Sequence, residues 1–186
     1  MKRCLVGSEM CIRDRFSTSN ELEFFPAWWL PEAHSQTLWN ARVRRVPSVN
    51  LLKETLELPD QDFLEWFWLR DTYEAPAEVP TILILHGLEG CARSNYVQDL
   101  MRQLGSLRWR AVVMQYRNCG EKPNRLAQSY HAMRWQELDW TVENLRGRFP
   151  EAPIGVVGFS IGGSILLNWL GQNEIKNIAA ACAISV

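Results

Sequence analysis

An α/β fold with a mostly parallel sheet is predicted for this 186-residue chain by three observations. From residue 81 onward, short apolar runs with β-branched residues alternate with segments whose apolar residues recur at helical spacing. A pair of roughly alternating runs precedes them, as an antiparallel hairpin would. Glycine-bearing turns then follow two of the apolar runs, where a strand would hand over to a helix.

Taken in order, residues 1–15 (MKRCLVGSEMCIRDR) show neither helical nor strand periodicity and are set outside the fold as a non-domain leader, a remnant of sequencing or assembly. Residues 16–50 form an aromatic N-terminal collar. Its segment FFPAWWLPEAHSQTLWNARVRR is limited to short helical pieces by Pro26 and Pro31, and its aromatic side chains are expected to pack on the domain. Residues 51–186 are the domain itself, read as incomplete. LLKETLELPDQDFLEWFWL breaks at Pro59-Asp60 into the two hairpin runs, and Asp71 to Pro80, with little apolar content, is expected to be a loop.

TILILHG (81–87) then reads as a strand buried on both faces, and NYVQDLMRQLGSL as a helix carrying Tyr96, Val97, Leu100, Met101 and Leu104 on one side. RAVVMQYR, PIGVVGFS and IAAACAISV are three further buried strands, with RWQELDWTVENLRGRF and GGSILLNWLG as the helices between them. Such alternation implies right-handed crossovers and helices on both faces of the sheet. Trp66 and Trp68 in the hairpin and Trp135 and Trp140 in a helix have core-like spacing.

Composition narrows the function classes. With 47% apolar and 22% charged residues, and 20 basic against 21 acidic side chains, the chain lacks both the signature of disorder and the basic excess of a nucleic-acid binder. Five cysteines without a Cys-x-x-Cys spacing suggest neither a disulfide framework nor a zinc site, and free thiols are expected at Cys91 and Cys119 even if the two lie close together. No run reaches membrane-spanning length, so neither membrane insertion nor secretion is expected and a cytoplasmic location is. The glycines around 155–163 contain no Gly-x-Gly, and no Gly-Lys-Ser/Thr occurs, so no dinucleotide or nucleotide site is expected, nor any other cofactor or metal.

The chemistry points to GFSIGG (158–163). Gly-x-Ser-x-Gly at a strand-to-helix junction is the setting of a nucleophile elbow, in which Ser160 sits on a tight, strained turn between Gly158 and Gly162. The amide of Ile161, in the first turn of the following helix, gains from the helix dipole. Earlier, His86-Gly87-Leu88-Glu89-Gly90 ends a strand in a turn able to aim the Leu88 amide at the same point. Two such donors make an oxyanion hole. Either turn alone would be equally well explained as a plain connection, and the two in this order argue for the site.

Four ordered blocks carry a family resemblance: PAWWLPEAHSQTLW, LILHGLEGCARSNYVQDLM, RNCGEKPNRLAQSYHA and GFSIGGSILLNWLG. From about Phe24 the chain resembles the YheT-type branch of the α/β-hydrolase fold, bacterial esterases related to eukaryotic α/β-hydrolase-domain lipid hydrolases. The third block departs from the family pattern, placing Asn118 and Met133 where the pattern has glycine, which bears on the shape of the pocket wall. By position, the resemblance implies Ser160 as nucleophile, the amides of Leu88 and Ile161 as oxyanion donors, and His86, Gly87, Gly158 and Gly162 as the supporting loops. It implies a small-molecule ester or lipid substrate, with short or medium acyl chains, cleaved through an acyl-serine intermediate, and no cofactor.

A serine hydroxyl needs a base, usually a histidine oriented by a carboxylate, and in this fold both follow the serine. Beyond Ser160 the sequence holds one acid, Glu174, read as a solvated turn residue, and no histidine. His86 is expected to shape its turn, while His131 and His34 are expected in hydrogen-bonded structural roles, so none is placed to serve as base. The chain also stops inside an apolar strand. The expectation is therefore the N-terminal portion of a longer serine hydrolase, inactive alone, with a non-catalytic hydrolase-like binding module as the alternative.

Overall fold

In a computed structural model of the chain, residues 25–39, 43–44, 46–172 and 178–186 are described. The leader 1–15 and Glu174 lie outside them. A six-stranded sheet forms the centre, from β1 (Leu51–Glu57), β2 (Phe63–Leu69), β3 (Thr81–Leu85), β4 (Arg110–Gln115), β5 (Ile154–Phe159) and β6 (Ala180–Ile184). Its order is β1-β2-β4-β3-β5-β6. β1, β2 and β4 pair antiparallel, and β4, β3, β5 and β6 pair parallel.

The hairpin pairs Glu57 with Phe63 and Leu51 with Leu69, so the polar Leu58–Asp62 stretch is its turn. Among the described residues five helices accompany the strands: α1 (Ala33–Leu38), α2 (Arg70–Tyr73), α3 (Asn95–Ser106), α4 (Gln136–Arg148) and α5 (Ile161–Gln172).

Strand alternation sorts the apolar residues onto two faces. Trp66, Trp68, Leu83, Leu85, Val112 and Met114 face α4 and α5, whose Leu138, Val142, Leu145, Ile165, Leu166 and Trp169 complete one core. Phe67, Leu69, Ile84, Ala111 and Val113 face α3, whose Val97, Met101 and Leu104 complete the other. Because both faces are covered, β4 is buried at every position and its central residues, Ala111 to Met114, read as a continuous apolar run. Trp66 and Trp68 are fully buried, and Trp135 and Trp140 pack against the same core.

Three local expectations are corrected. The stretch expected to be a loop from Asp71 begins inside a short helix, α2, followed by turns. Its carbonyls at Tyr73, Ala75, Pro76 and Val79 accept hydrogen bonds from the buried guanidinium of Arg110, a partner that lies 31–37 residues away in sequence and is invisible to local patterning. The described collar aromatics do not enter the core: Phe25 and Trp28 are 79% and 90% exposed, and Trp29 and Trp39 pair edge to face with each other. The described end of the collar is tied down by polar contacts instead, the Arg44 carbonyl accepting from Asn95 and the Arg44 guanidinium pairing with Asp99. His34 and His131 are both exposed, and neither ring hydrogen-bonds a described residue.

Candidate active site

The junction of β5 and α5 places Ser160 at the carboxyl edge of the parallel strands. Ser160 has φ of 51°, a left-handed conformation that costs a residue with a Cβ, and its side chain is exposed. The neighbours hold it there. Its N–H donates to Ile184 O (2.9 Å), just past the β5–β6 pairing, and its carbonyl accepts the first bond of α5 from Ser164 N–H (3.0 Å).

The flanking glycines permit this turn by what they lack. A Cβ on Gly158 would lie 2.5 Å from Gly162 O and 2.7 Å from Gly163 N, so the first turn of α5 folds back directly over the strand. A Cβ on Gly162 would lie 2.6 Å from Leu85 O and 2.7 Å from His86 O, so the same turn also rests on the end of β3. These obstacles are backbone atoms, which cannot rotate aside as a side chain can.

The β3 turn lies alongside. A Cβ on Gly87 would stand 3.6 Å from both Ser160 Cβ and Phe159 O, which brings the two glycine turns into contact. In that turn the Gly87 carbonyl accepts from Gly90 N–H (3.0 Å) and lies 2.8 Å from His86 Nδ1. A carbonyl can only accept, so the proton of His86 is on Nδ1 and Nε2 carries the lone pair, buried and without a partner among the described residues. Burial pushes the His86 imidazole down to about 4, against the opposing effect of its bond to Gly87. The ring is therefore neutral at neutral pH and a weak base.

The amides of Leu88 and Ile161 donate to no described residue. At Ile161 this follows from its place at the start of α5, where the first four N–H groups have no partner within the helix. Leu88 itself is 68% exposed. The structure thus brings together Ser160 and the turn that bears Leu88, and it sets the exposed His131 in the long β4–α4 connection.

Three tyrosines of this neighbourhood have a role that the sequence reading did not assign, although Tyr96 and Tyr130 lie in two of the blocks that carry the resemblance. The Tyr96 hydroxyl accepts from Gly87 N–H (2.8 Å), the Tyr130 hydroxyl accepts from Glu89 N–H (3.0 Å), and the Tyr116 hydroxyl donates to His86 O (3.2 Å). Of the four tyrosines in the chain, three meet here.

Asn118, which stands where the YheT-type pattern has glycine, adopts φ of 62°. Asparagine tolerates that region better than most residues with a Cβ. Its side chain adds a bond to Gln128 O (2.8 Å), while its N–H donates to Asn124 Oδ1 (2.8 Å), which fixes the β4–α4 connection. Among the described residues no group of three or more His, Cys, Asp or Glu side chains is placed to hold a metal ion, and no helix is long and apolar enough to cross a membrane.

A serine on a left-handed strand-to-helix turn, with a second glycine turn of a parallel strand against it, is the arrangement of an α/β hydrolase. The chain belongs to that family, whose profile, described as alpha/beta hydrolase fold, matches residues 80–186. It is 31% identical over 159 residues to YheT of Escherichia coli (strain K12), named as a candidate esterase, an alignment covering 86% of this chain and 46% of that protein. It is 29% identical over 168 residues to the phospholipase ABHD3 of Mus musculus, covering 88% of this chain and 41% of that one. The chain therefore spans less than half the length of these relatives.

Among solved structures, the Pyrococcus furiosus esterase Pf2001 superposes with a TM-score of 0.56 at 20% identity, over 72% of this chain and 50% of that chain. XC6422 of Xanthomonas campestris, an α/β serine hydrolase without a lid, gives 0.54 at 18% identity, over 75% and 72%. These two likenesses concern the fold.

Proposed function

We propose that the protein is a serine hydrolase of carboxylic esters, in which Ser160 attacks the ester carbonyl and the amides of Leu88 and Ile161 receive the developing oxyanion. The observation that carries this reading is the strained, exposed Ser160 seated against the Gly87 turn. Backbone strain at φ of 51° is retained only where surrounding structure enforces it, and such positions concentrate at functional sites. Relatives named as a phospholipase and as a candidate esterase support an ester as the bond cleaved, with a small-molecule or lipid substrate.

The general base and its carboxylate partner fall, on this proposal, in the part of the relatives' length that this chain does not span. None of the three histidines in the chain suits the role: His86 is buried with a depressed pKa, and the exposed rings of His34 and His131 hydrogen-bond no described residue. Residues 1–186 alone would then carry a nucleophile without its proton acceptor.

The test is covalent labelling of the protein in its native-length form with a fluorophosphonate, followed by peptide mapping. Labelling at Ser160, abolished in Ser160→Ala, is the expected result. A folded native-length protein that takes up no label at Ser160 refutes the reading.

A further inference from the structure

We propose that Tyr96 and Tyr130 are positioning residues for the oxyanion donor, holding the turn that bears the Leu88 amide by accepting hydrogen bonds from the amides on either side of it. The inference rests on the serine-hydrolase reading and adds to it the residues that orient one of its two donors.

Four consecutive amides occupy this turn. Gly87 N–H is taken by the Tyr96 hydroxyl, Glu89 N–H by the Tyr130 hydroxyl and Gly90 N–H by the Gly87 carbonyl, which leaves Leu88 N–H without a described partner. Its direction is also set. In a trans peptide C=O and N–H point opposite ways, so the two donors that fix the Gly87 carbonyl, Gly90 N–H and His86 Nδ1–H, turn the Leu88 N–H away from themselves.

The three phenols arrive from separate elements. Tyr96 stands in the first turn of α3, with its ring 4.7 Å from that of Phe159, the residue before the serine. The glycines at 87 and 90 make room for it: a Cβ on Gly90 would lie 2.6 Å from the Tyr96 hydroxyl oxygen and one on Gly87 3.4 Å from it. Tyr116 follows β4, is almost fully buried, and tilts over the His86 ring at 4.3 Å. Tyr130, in the β4–α4 connection, stacks on Tyr116 at 5.0 Å and 16°.

That connection is itself anchored at a distance. Arg125 N–H and Asn124 Nδ2 donate to the fully buried Asp62 of the hairpin turn, and Asn118 Nδ2 donates to Gln128 O two residues before Tyr130. The oxyanion turn is thereby braced from α3 on one side and from the hairpin, through residues 118–130, on the other.

Phenylalanine at 96 or 130 keeps the ring contacts and removes only the hydroxyl. In the native-length protein, Tyr96→Phe and Tyr130→Phe are expected to lower the second-order rate of fluorophosphonate labelling at Ser160 about 10-fold or more, since outright loss of one oxyanion donor costs about 100- to 1000-fold. With 4-nitrophenyl acetate the loss falls on kcat and leaves KM near that of the parent. Tyr73→Phe, at the opposite end of the sheet, is the control and labels normally.

Parent-like labelling rates in both phenylalanine variants overturn the positioning role while the serine-hydrolase reading stands. An unlabelled Ser160 in the folded parent overturns both. A fall in labelling matched by an equal fall in Tyr73→Phe also overturns the assignment, because it would reflect general loosening.

Discussion

Replacing Arg117 by Met is expected to destabilise the protein by about 3 kcal/mol, the low end of what removing one partner of a buried ion pair costs. The figure follows from what the substitution leaves behind. Arg117 is 3% exposed and donates to Asp62 (2.8 Å), Asp60 (2.7 Å) and Glu137 (2.5 Å), joining the hairpin turn to α4. Asp60 is 37% exposed and can return to water, but Asp62 is fully buried and Glu137 nearly so.

Each buried acid keeps some company. Asp62 retains Asn124 Nδ2 and Arg125 N–H at 3.0 Å, and Glu137 retains Arg134 at 2.9 Å. These partners keep the cost near the bottom of the range. Equilibrium urea unfolding at pH 7, with the slope checked for constancy, gives the number.

The dependence on pH supplies an internal check. Burial pushes the Asp62 carboxyl up, but hydrogen bonds from Arg125, Asn124 and Phe63 and the Arg117 charge outweigh it and hold the group below its usual range. A depressed carboxylate contributes stability that is present above its unfolded pKa of about 3.9 and disappears as pH falls through the folded value. The gap between parent and Arg117→Met therefore narrows below about pH 4. A cost under about 1 kcal/mol at pH 7 would refute the reasoning, since that is the behaviour of a solvated surface pair.

Two further outcomes are expected. Gly162→Ala forces a Cβ to within 2.7 Å of two strand-end carbonyls, so α5 must lift from β3; a loss of about 1–3 kcal/mol or more in urea unfolding is expected, with slower labelling of Ser160. Asn118→Ala should cost about 1–2 kcal/mol by thermal melting, through left-handed strain and the lost bond to Gln128, and Asn118→Gly should cost less because it relieves the strain.

How much of this molecule is legible in its sequence depends on the range of the interaction. The hairpin follows from alternation, the four parallel strands from short continuous apolar runs, and α3, α4 and α5 from apolar residues at helical spacing, because side chains on one face of an element must share one environment. The junction that carries Ser160 is equally local: strand, glycine, serine, glycine and helix occupy adjacent positions. Residues 71–73 read as loop and fold as the end of a short helix, and the carbonyls that follow are satisfied by Arg110, 34–35 residues on.

Tertiary structure alone decided the rest. Nothing in the apolar spacing of α3 distinguishes Tyr96 from a core residue, yet its hydroxyl reaches the Gly87 amide, and Tyr116 and Tyr130 meet the same turn from 30 and 41 residues away. The paired acids of the hairpin turn look like solvent-facing turn residues until Arg117 closes over them. Trp28, aromatic enough to suggest burial, stands exposed. Periodicity records which side of an element is apolar. Which polar atoms complete one another across the sheet is a matter of three-dimensional proximity, and no local pattern carries it.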